Sequence, residues 1–134
     1  MNIDVKEYGP QHASEKHESD IYDVRYSSEG FDILIDTVDK NNRRNDLRVH
    51  FEYTDGFRYL DEGDLMRYWE SGKFNSLYHI YEVLSGGWSN GEALEPGVLS
   101  IRSGSYTKEW FISSTNGCIA VLSDSEPTWE YVSV

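Results

Sequence analysis

Residues 47–53 read Leu-Arg-Val-His-Phe-Glu-Tyr, and they show the clearest strand pattern in the chain. Leu47, Val49, Phe51 and Tyr53 alternate with charged or polar residues at a period of two. That period is typical of a β-strand with one face in the core and the other in water. The stretch predicts a half-buried strand, with His50 on the outward face.

Two stretches before it show the same alternation. Residues 21–26 and 31–36 each place apolar side chains at every second position, and the segment between them, 27–30, is short enough for a hairpin. A polar loop, 39–46, leads on to the strand at 47–53. Parallel strands need a crossover of about a dozen residues, so these short links predict an antiparallel meander.

The rest of the chain predicts further strands and one helix. Residues 61–71 carry apolar residues at helical spacing; Asp61 can cap their start and Gly72 can end them. The predicted fold class is α+β, an antiparallel sheet of about six to eight strands with one main helix packed across it. The further strands are predicted at 57–60, 77–84 (apolar on both sides, hence central), 98–102, 107–113, 118–123 and 129–132, with a hairpin turn at 115–117.

The length of 134 residues fits one domain. Residues 1–20 are mostly polar and lack an apolar period, which predicts a polar N-terminal arm. Residues 21–134 are predicted to form a single antiparallel α+β domain.

The net charge is −12 and is unevenly distributed. Residues 1–40 hold ten acids and four bases, residues 41–80 seven and six, and residues 81–134 seven and two. Such a chain repels nucleic acid and anionic membranes, and it favours a basic protein partner. Solubility alone could also explain the charge. An acidic binding face would require the two ends of the chain to meet.

The compartment is expected to be reducing and cytoplasmic. Cys118 is the one cysteine, so no internal disulfide can form. The first residues have neither a basic nor an apolar segment of the kind that signal peptides carry, and no run approaches the ~20 apolar residues of a membrane span.

Catalytic and metal-binding patterns are missing from the sequence, so we expect neither an enzyme nor a cofactor. Cys118 begins a hairpin strand and is expected to be a small buried or edge residue rather than a nucleophile. The four histidines show no spacing for a zinc site, and His79 fits a core position better than a metal ligand. Acids at 61–64 are explained by the start of a helix.

The aromatic content exceeds what one small core usually needs, with ten Tyr and four Trp. Tyr and Trp anchor many protein interfaces. Trp88 follows two glycines and is the interface candidate among the tryptophans, whereas Trp110 is expected in the core. The residues predicted to bind a protein partner are Asp32, Asp36, Glu52, Trp88, Glu92 and Glu95.

Three passages carry a resemblance to a known class of proteins: FRYLDEGDLMRYW at 57–69, Gly-Gly-Trp at 86–88 and WFISSTNGCIAVLSDSEP at 110–127. Together they resemble small bacterial immunity proteins, which are encoded beside polymorphic or contact-dependent toxins. The resemblance covers roughly the last 80 residues. It implies a non-catalytic protein that neutralises a toxin, often a basic one, by occluding it.

Two other functions stay open from the residues. A small-molecule or regulatory domain could hold a pocket between helix and sheet, lined by Tyr68, Trp69, His79 and Tyr81. An enzyme would require a deep cleft holding His50 or His79 beside a carboxylate. A homodimer through an exposed strand edge is compatible with any of these functions.

Overall fold

The side chains of residues 47–51 lie as their alternation predicts, but Tyr53, which the same alternation places in the core, lies beyond the end of the strand and is 55% exposed. Leu47, Val49 and Phe51 have no exposed surface, whereas Arg48 and His50 face outward. The protein is seen here in a computed structural model, which describes residues 3–11, 19–39, 41, 43–61, 70–72, 74, 78–88 and 108–132. These described residues form nine strands: β1 (Asp4–Gln11), β2 (Asp20–Ser27), β3 (Gly30–Asp36), β4 (Asp46–Phe51), β5 (Gly56–Asp61), β6 (Tyr78–Ser85), β7 (Glu109–Ser113), β8 (Gly117–Leu122) and β9 (Thr128–Val132).

The strands make two antiparallel sheets. One sheet has four strands in the order β2-β3-β4-β9, and the other has five in the order β1-β6-β7-β8-β5. The predicted meander is confirmed as β2, β3 and β4, and the predicted hairpin as β7 and β8. The chain crosses to the five-stranded sheet after β4 and returns with β9, which pairs with β4.

The main core lies between the two sheets. Phe31, Ile33 and Ile35 of β3 and the three apolar residues of β4 face the other sheet, which contributes Ile80, Trp110, Ile112, Ile119 and Val121. Two antiparallel sheets packed in this way form a β-sandwich. Trp110 has no exposed surface, so its predicted core position is confirmed.

The five-stranded sheet is buried on its other face as well. A second apolar cluster there includes Tyr81, Phe111, Leu122 and Trp88. Every residue of β7 and β8 is therefore buried. The prediction that the strand at 77–84 is central is confirmed by β6, which lies between β1 and β7.

The predicted α+β fold class is wrong, because the described part of the chain is all β and contains no helix. Asp61, the expected helix cap, is the last residue of β5 and pairs with Gly117 of β8. Asp61 therefore pairs with β8, although its local sequence is that of a helix cap. Most of the predicted helix, residues 62–69, lies outside the described residues.

The predicted N-terminal arm also needs correction. Residues 4–11 form β1, which pairs with β6, and Ile3 is buried in the second cluster. Tyr8 packs its ring against Trp110, with ring centroids 5.1 Å apart at an interplanar angle of 72°. An edge strand in contact with water can carry many polar residues, which is why its sequence is typical of a free arm.

Candidate functional site

The outer face of the four-stranded sheet is the broad polar face that the described residues display. The strand register determines which side chains are neighbours on this face. Asp32 of β3 lies opposite His50 of β4, and Arg48 of β4 lies opposite Glu130 of β9. We call it the outer face. The ionisable side chains on it and at its margin are those of Asp20, Asp23, Arg25, Asp32, Asp36, Arg44, Asp46, Arg48, His50, Glu52 and Glu130.

Arg48 joins the two acidic ends of the chain on this face. Its Nε–H donates to Asp32 Oδ1 at 3.1 Å, and its Nη1–H donates to Glu130 Oε1 at 3.2 Å. Asp32 belongs to the acidic N-terminal region and Glu130 to the acidic C-terminal region. The condition for an acidic binding face, that these two regions meet, is therefore satisfied.

His50 lies between two carboxylates. Its Nδ1 is 2.8 Å from Asp32 Oδ1, and its Nε2 is 3.4 Å from Glu52 Oε1. Burial raises the pKa of Asp32, but hydrogen bonds from His50 and Arg48 outweigh it and hold that pKa below its ordinary value. Asp32 is therefore an ionised acceptor that orients both partners. Glycine at position 30 leaves room for the His50 ring, since a Cβ there would lie 2.7 Å from His50 Cε1.

A second group of charges lies at the other end of the outer face. The Nε of Arg44 is 3.0 Å from Asp36 Oδ1 and 3.6 Å from Asp46 Oδ1. The hydroxyl of Tyr22 donates to Asp46, and this hydrogen bond raises the pKa of Tyr22 to about 12. Arg44 thus holds the carboxylates of Asp36 and Asp46 near one another.

An open depression of about 240 Å³ lies where β4 meets β9. Its lining consists of Arg48, His50, Thr128, Trp129 and Glu130. Trp129 is 42% exposed, so an aromatic surface lies beside the charged groups. The depression is suited to a side chain or another small polar group.

The outer face places a histidine beside a carboxylate, which is one element of the enzyme hypothesis. The depression is open, however, and carboxylates lie next to both nitrogens of His50. His50 therefore belongs to a network of polar contacts on an open surface.

Of the predicted partner-binding residues, three lie on the outer face, one is buried elsewhere and two are outside the described residues. Asp32, Asp36 and Glu52 are the three on the outer face. Trp88 is buried in the second cluster: its backbone N–H donates to Glu109 at 2.9 Å, and the Arg58 guanidinium lies 4.9 Å from its ring centroid. Glu92 and Glu95 lie outside the described residues.

The two described residues of the predicted pocket, His79 and Tyr81, are packed rather than open. His79 is 3% exposed: its Nδ1–H donates to Ser113 O at 2.8 Å, and its Nε2 accepts from the Thr37 hydroxyl at 2.8 Å. Tyr81 has no exposed surface. His79 is thus a satisfied core histidine. Tyr68 and Trp69 lie outside the described residues.

Metal and thiol chemistry find little support in the described part of the chain. No group of three or more His, Cys, Asp or Glu side chains is placed there to hold a metal ion. Cys118 is buried, and burial raises the pKa of its thiol, which disfavours the reactive thiolate.

Sequence reasoning missed several exposed aromatic residues. Alternation places Tyr22 and Tyr26 together on one side of their strand, and they are 52% and 68% exposed. A bulge at Tyr22 and the edge position of β2 explain this exposure. The excess of aromatic residues in the sequence is the one signal that indicates exposed aromatic side chains. The other exposed aromatic side chains are Tyr53, Phe57, Tyr59 and Trp129.

Comparison with models of protein families, with curated proteins and with solved structures gave no match. The part of the chain that the structure describes has no helix long and apolar enough to cross a membrane.

Proposed function

We propose that this chain is a non-catalytic binding protein of the immunity type, which occludes a basic toxin domain with the outer face of its four-stranded sheet. The observation that carries the proposal is that Asp32, Asp36 and Glu52, the acids predicted to bind a partner, lie on one face together with Glu130 of the C-terminal region. Acids on this face outnumber the arginines that pair with them.

Pre-organisation supports the same proposal. Arg48 and His50 hold Asp32 in place, so a partner would not have to order this carboxylate on binding. Binding to a rigid face costs less conformational entropy. Electrostatic complementarity of this kind chiefly raises the association rate and makes it depend on salt.

The depression beside Trp129 would receive one side chain of the partner. A lysine or arginine there could lie against the indole ring while reaching Glu130, and both contacts favour a cation. This places an aromatic anchor within a charged surface, as in many protein interfaces.

The test is a pull-down from the native host with two charge-matched double variants. Glu52→Gln with Glu130→Gln removes two exposed charges from the outer face. Asp4→Asn with Glu7→Gln removes the same net charge from the exposed side of β1. The wild type and the β1 variant should capture a basic protein at low salt and release it at high salt.

The outer-face variant should bind that same protein with an association rate roughly three- to tenfold lower. Co-expression should also protect cells from the captured protein if it is a toxin. Equal binding by both variants, or capture that does not depend on salt, would contradict the proposal.

A further inference from the structure

Tyr22 presents an aromatic ring on the outer face. It lies at the bulge of β2 and is 52% exposed. Its hydroxyl donates to Asp46 of β4, and β3 lies between those two strands. The Tyr22 side chain therefore reaches across β3 on the outer face. The hydrogen bond holds the ring in a fixed position with half of its surface open to solvent.

Carboxylates surround this ring. The hydrogen bond to Asp46 raises the pKa of the Tyr22 hydroxyl most, and burial raises it further. The negative charges of Asp23 and Asp36 act on the same hydroxyl and also raise that pKa. Asp20 belongs to the group because it pairs with Asp36, and paired residues share a face. We call the Tyr22 ring and these four carboxylates the Tyr22 site.

The carboxylates of the Tyr22 site outnumber the bases that pair with them. Asp23 lies 3.0 Å from the Nε of Arg25, and Asp36 lies 3.0 Å from the Nε of Arg44. Four carboxylates against two arginines leave two negative charges over. The Tyr22 site as a whole therefore attracts a cation.

Asp46 supplies a negative charge that water screens little. Its side chain is 7% exposed, and its Oδ1 has no hydrogen-bond partner in the part of the chain that the structure describes. The Nε of Arg44 is 3.6 Å from that oxygen, which is beyond hydrogen-bond distance. A buried carboxylate oxygen without a donor is costly, and a further cation nearby lowers that cost.

A guanidinium group suits these surroundings. It is always charged, and its flat face stacks on aromatic rings. A metal ion suits them less, because the described residues hold no group of three or more His, Cys, Asp or Glu side chains placed to bind one. Arginine is the side chain that brings a guanidinium to a protein surface.

We infer that the Tyr22 site binds an arginine side chain of the protein partner, with the guanidinium over the Tyr22 ring and beside Asp20 and Asp36. This inference rests on the proposed function for the partner being a basic protein. The Tyr22 site and the Trp129 depression lie at opposite ends of the outer face, about 14 Å apart along β4 from Asp46 to His50. The partner would then present two basic side chains, one for each place.

The test uses two small probes, N-acetyl-arginine amide and N-acetyl-citrulline amide. Citrulline has nearly the shape of arginine without its charge. In ¹⁵N-labelled full-length protein, the arginine probe should shift the amide signals of residues 20–23, 36 and 46 in a saturable manner. The citrulline probe should leave these signals unchanged at the same concentration. Shifts at residues 128–130 report separately on the Trp129 depression.

Tyr22→Leu should weaken binding of the arginine probe at this site roughly three- to tenfold, because it removes the ring and keeps an apolar side chain. Tyr26→Leu is the matched control: Tyr26 is an exposed tyrosine of the same strand, but it pairs with Phe31 of the core and lies on the other face. Arg44→Gln should strengthen binding roughly threefold, since it removes the cation that competes for Asp36.

Circular dichroism establishes that each variant is folded. Equal shifts with both probes, unchanged binding by Tyr22→Leu, or shifts confined to the Trp129 depression would overturn the Tyr22 site and leave the proposed function standing. Binding that Arg44→Gln fails to strengthen would overturn it too. These measurements need no partner, so a pull-down that recovers no basic protein would contradict the proposed function separately.

Discussion

At the scale of single residues, the proton on Tyr22 is coupled to folding. The pKa of Tyr22 is raised from 10.0 to about 12, chiefly by its hydrogen bond to Asp46. The folded protein therefore holds this proton more tightly than the unfolded chain does. The resulting stabilisation is fully present below pH 10 and is lost as the pH rises through about 12.

Tyr22→Phe should lower the free energy of unfolding by about 1 kcal/mol at neutral pH, since it removes the hydroxyl that donates a hydrogen bond to the Asp46 carboxylate. The difference from wild type in urea unfolding should shrink between about pH 10 and pH 12. Tyr26→Phe on the same strand is the control, because the Tyr26 hydroxyl has no hydrogen-bond partner among the described residues. A difference that stays constant with pH would contradict the assignment.

At the scale of elements, the β2–β3 hairpin depends on Gly30. Its φ is +122°, and a Cβ there would lie 2.5 Å from the carbonyl oxygen of Phe51. Gly30→Ala should lower the free energy of unfolding by about 3 kcal/mol or more, since backbone strain and a clash with backbone add together.

Gly72→Ala is the matched control for that prediction. Gly72 also has a positive φ, +70°, but nothing lies within 4 Å of the position its Cβ would take. Its replacement should cost only about 1–2 kcal/mol of backbone strain. Thermal unfolding of both variants measures the two losses of stability. Equal losses would show that the contact between a Cβ at position 30 and the Phe51 carbonyl oxygen costs no stability.

Most elements could be predicted from sequence because the core strands alternate. β3 and β4 bury every second residue, so their period is visible in the sequence. β1 could not be found, because an edge strand in water needs few apolar residues. Asp61 has the local signal of a helix cap, because capping chemistry contains no information about pairing with β8, a partner 56 positions away at Gly117.

The candidate site was predictable only in part, for a similar reason. Asp32 and Glu52 face outward by period alone, and register then brings them together. Trp88 has the local pattern of an interface residue because it follows two glycines in a loop. Its burial depends on contacts with Arg58 and Glu109, which the sheet brings near and which no local pattern reveals.

At the scale of the whole molecule, Cys118 can report on global unfolding. It lies in β8, between β5 and β7, and is fully buried. Burial also raises the pKa of its thiol, so little thiolate forms. A disulfide reagent should therefore leave the native protein unlabelled and label it fully in denaturant.

At intermediate urea concentrations, the rate at which Cys118 is labelled should follow the urea dependence of the global unfolding equilibrium. Circular dichroism on the same samples provides the comparison. Fast labelling without denaturant would show that β8 separates from its neighbours by local opening rather than with the whole sandwich.

The contact from Arg48 to Asp32 and Glu130 has a consequence for how the outer face can be recognised. Arg48 and Glu130 are 82 positions apart in the chain, and only folding brings them within 3.2 Å. The outer face is therefore a discontinuous epitope. A linear fragment that contains one of these strands should neither compete for the proposed partner nor raise antibodies that block its binding. An inhibitor that imitates this surface would have to reproduce three neighbouring strands at once.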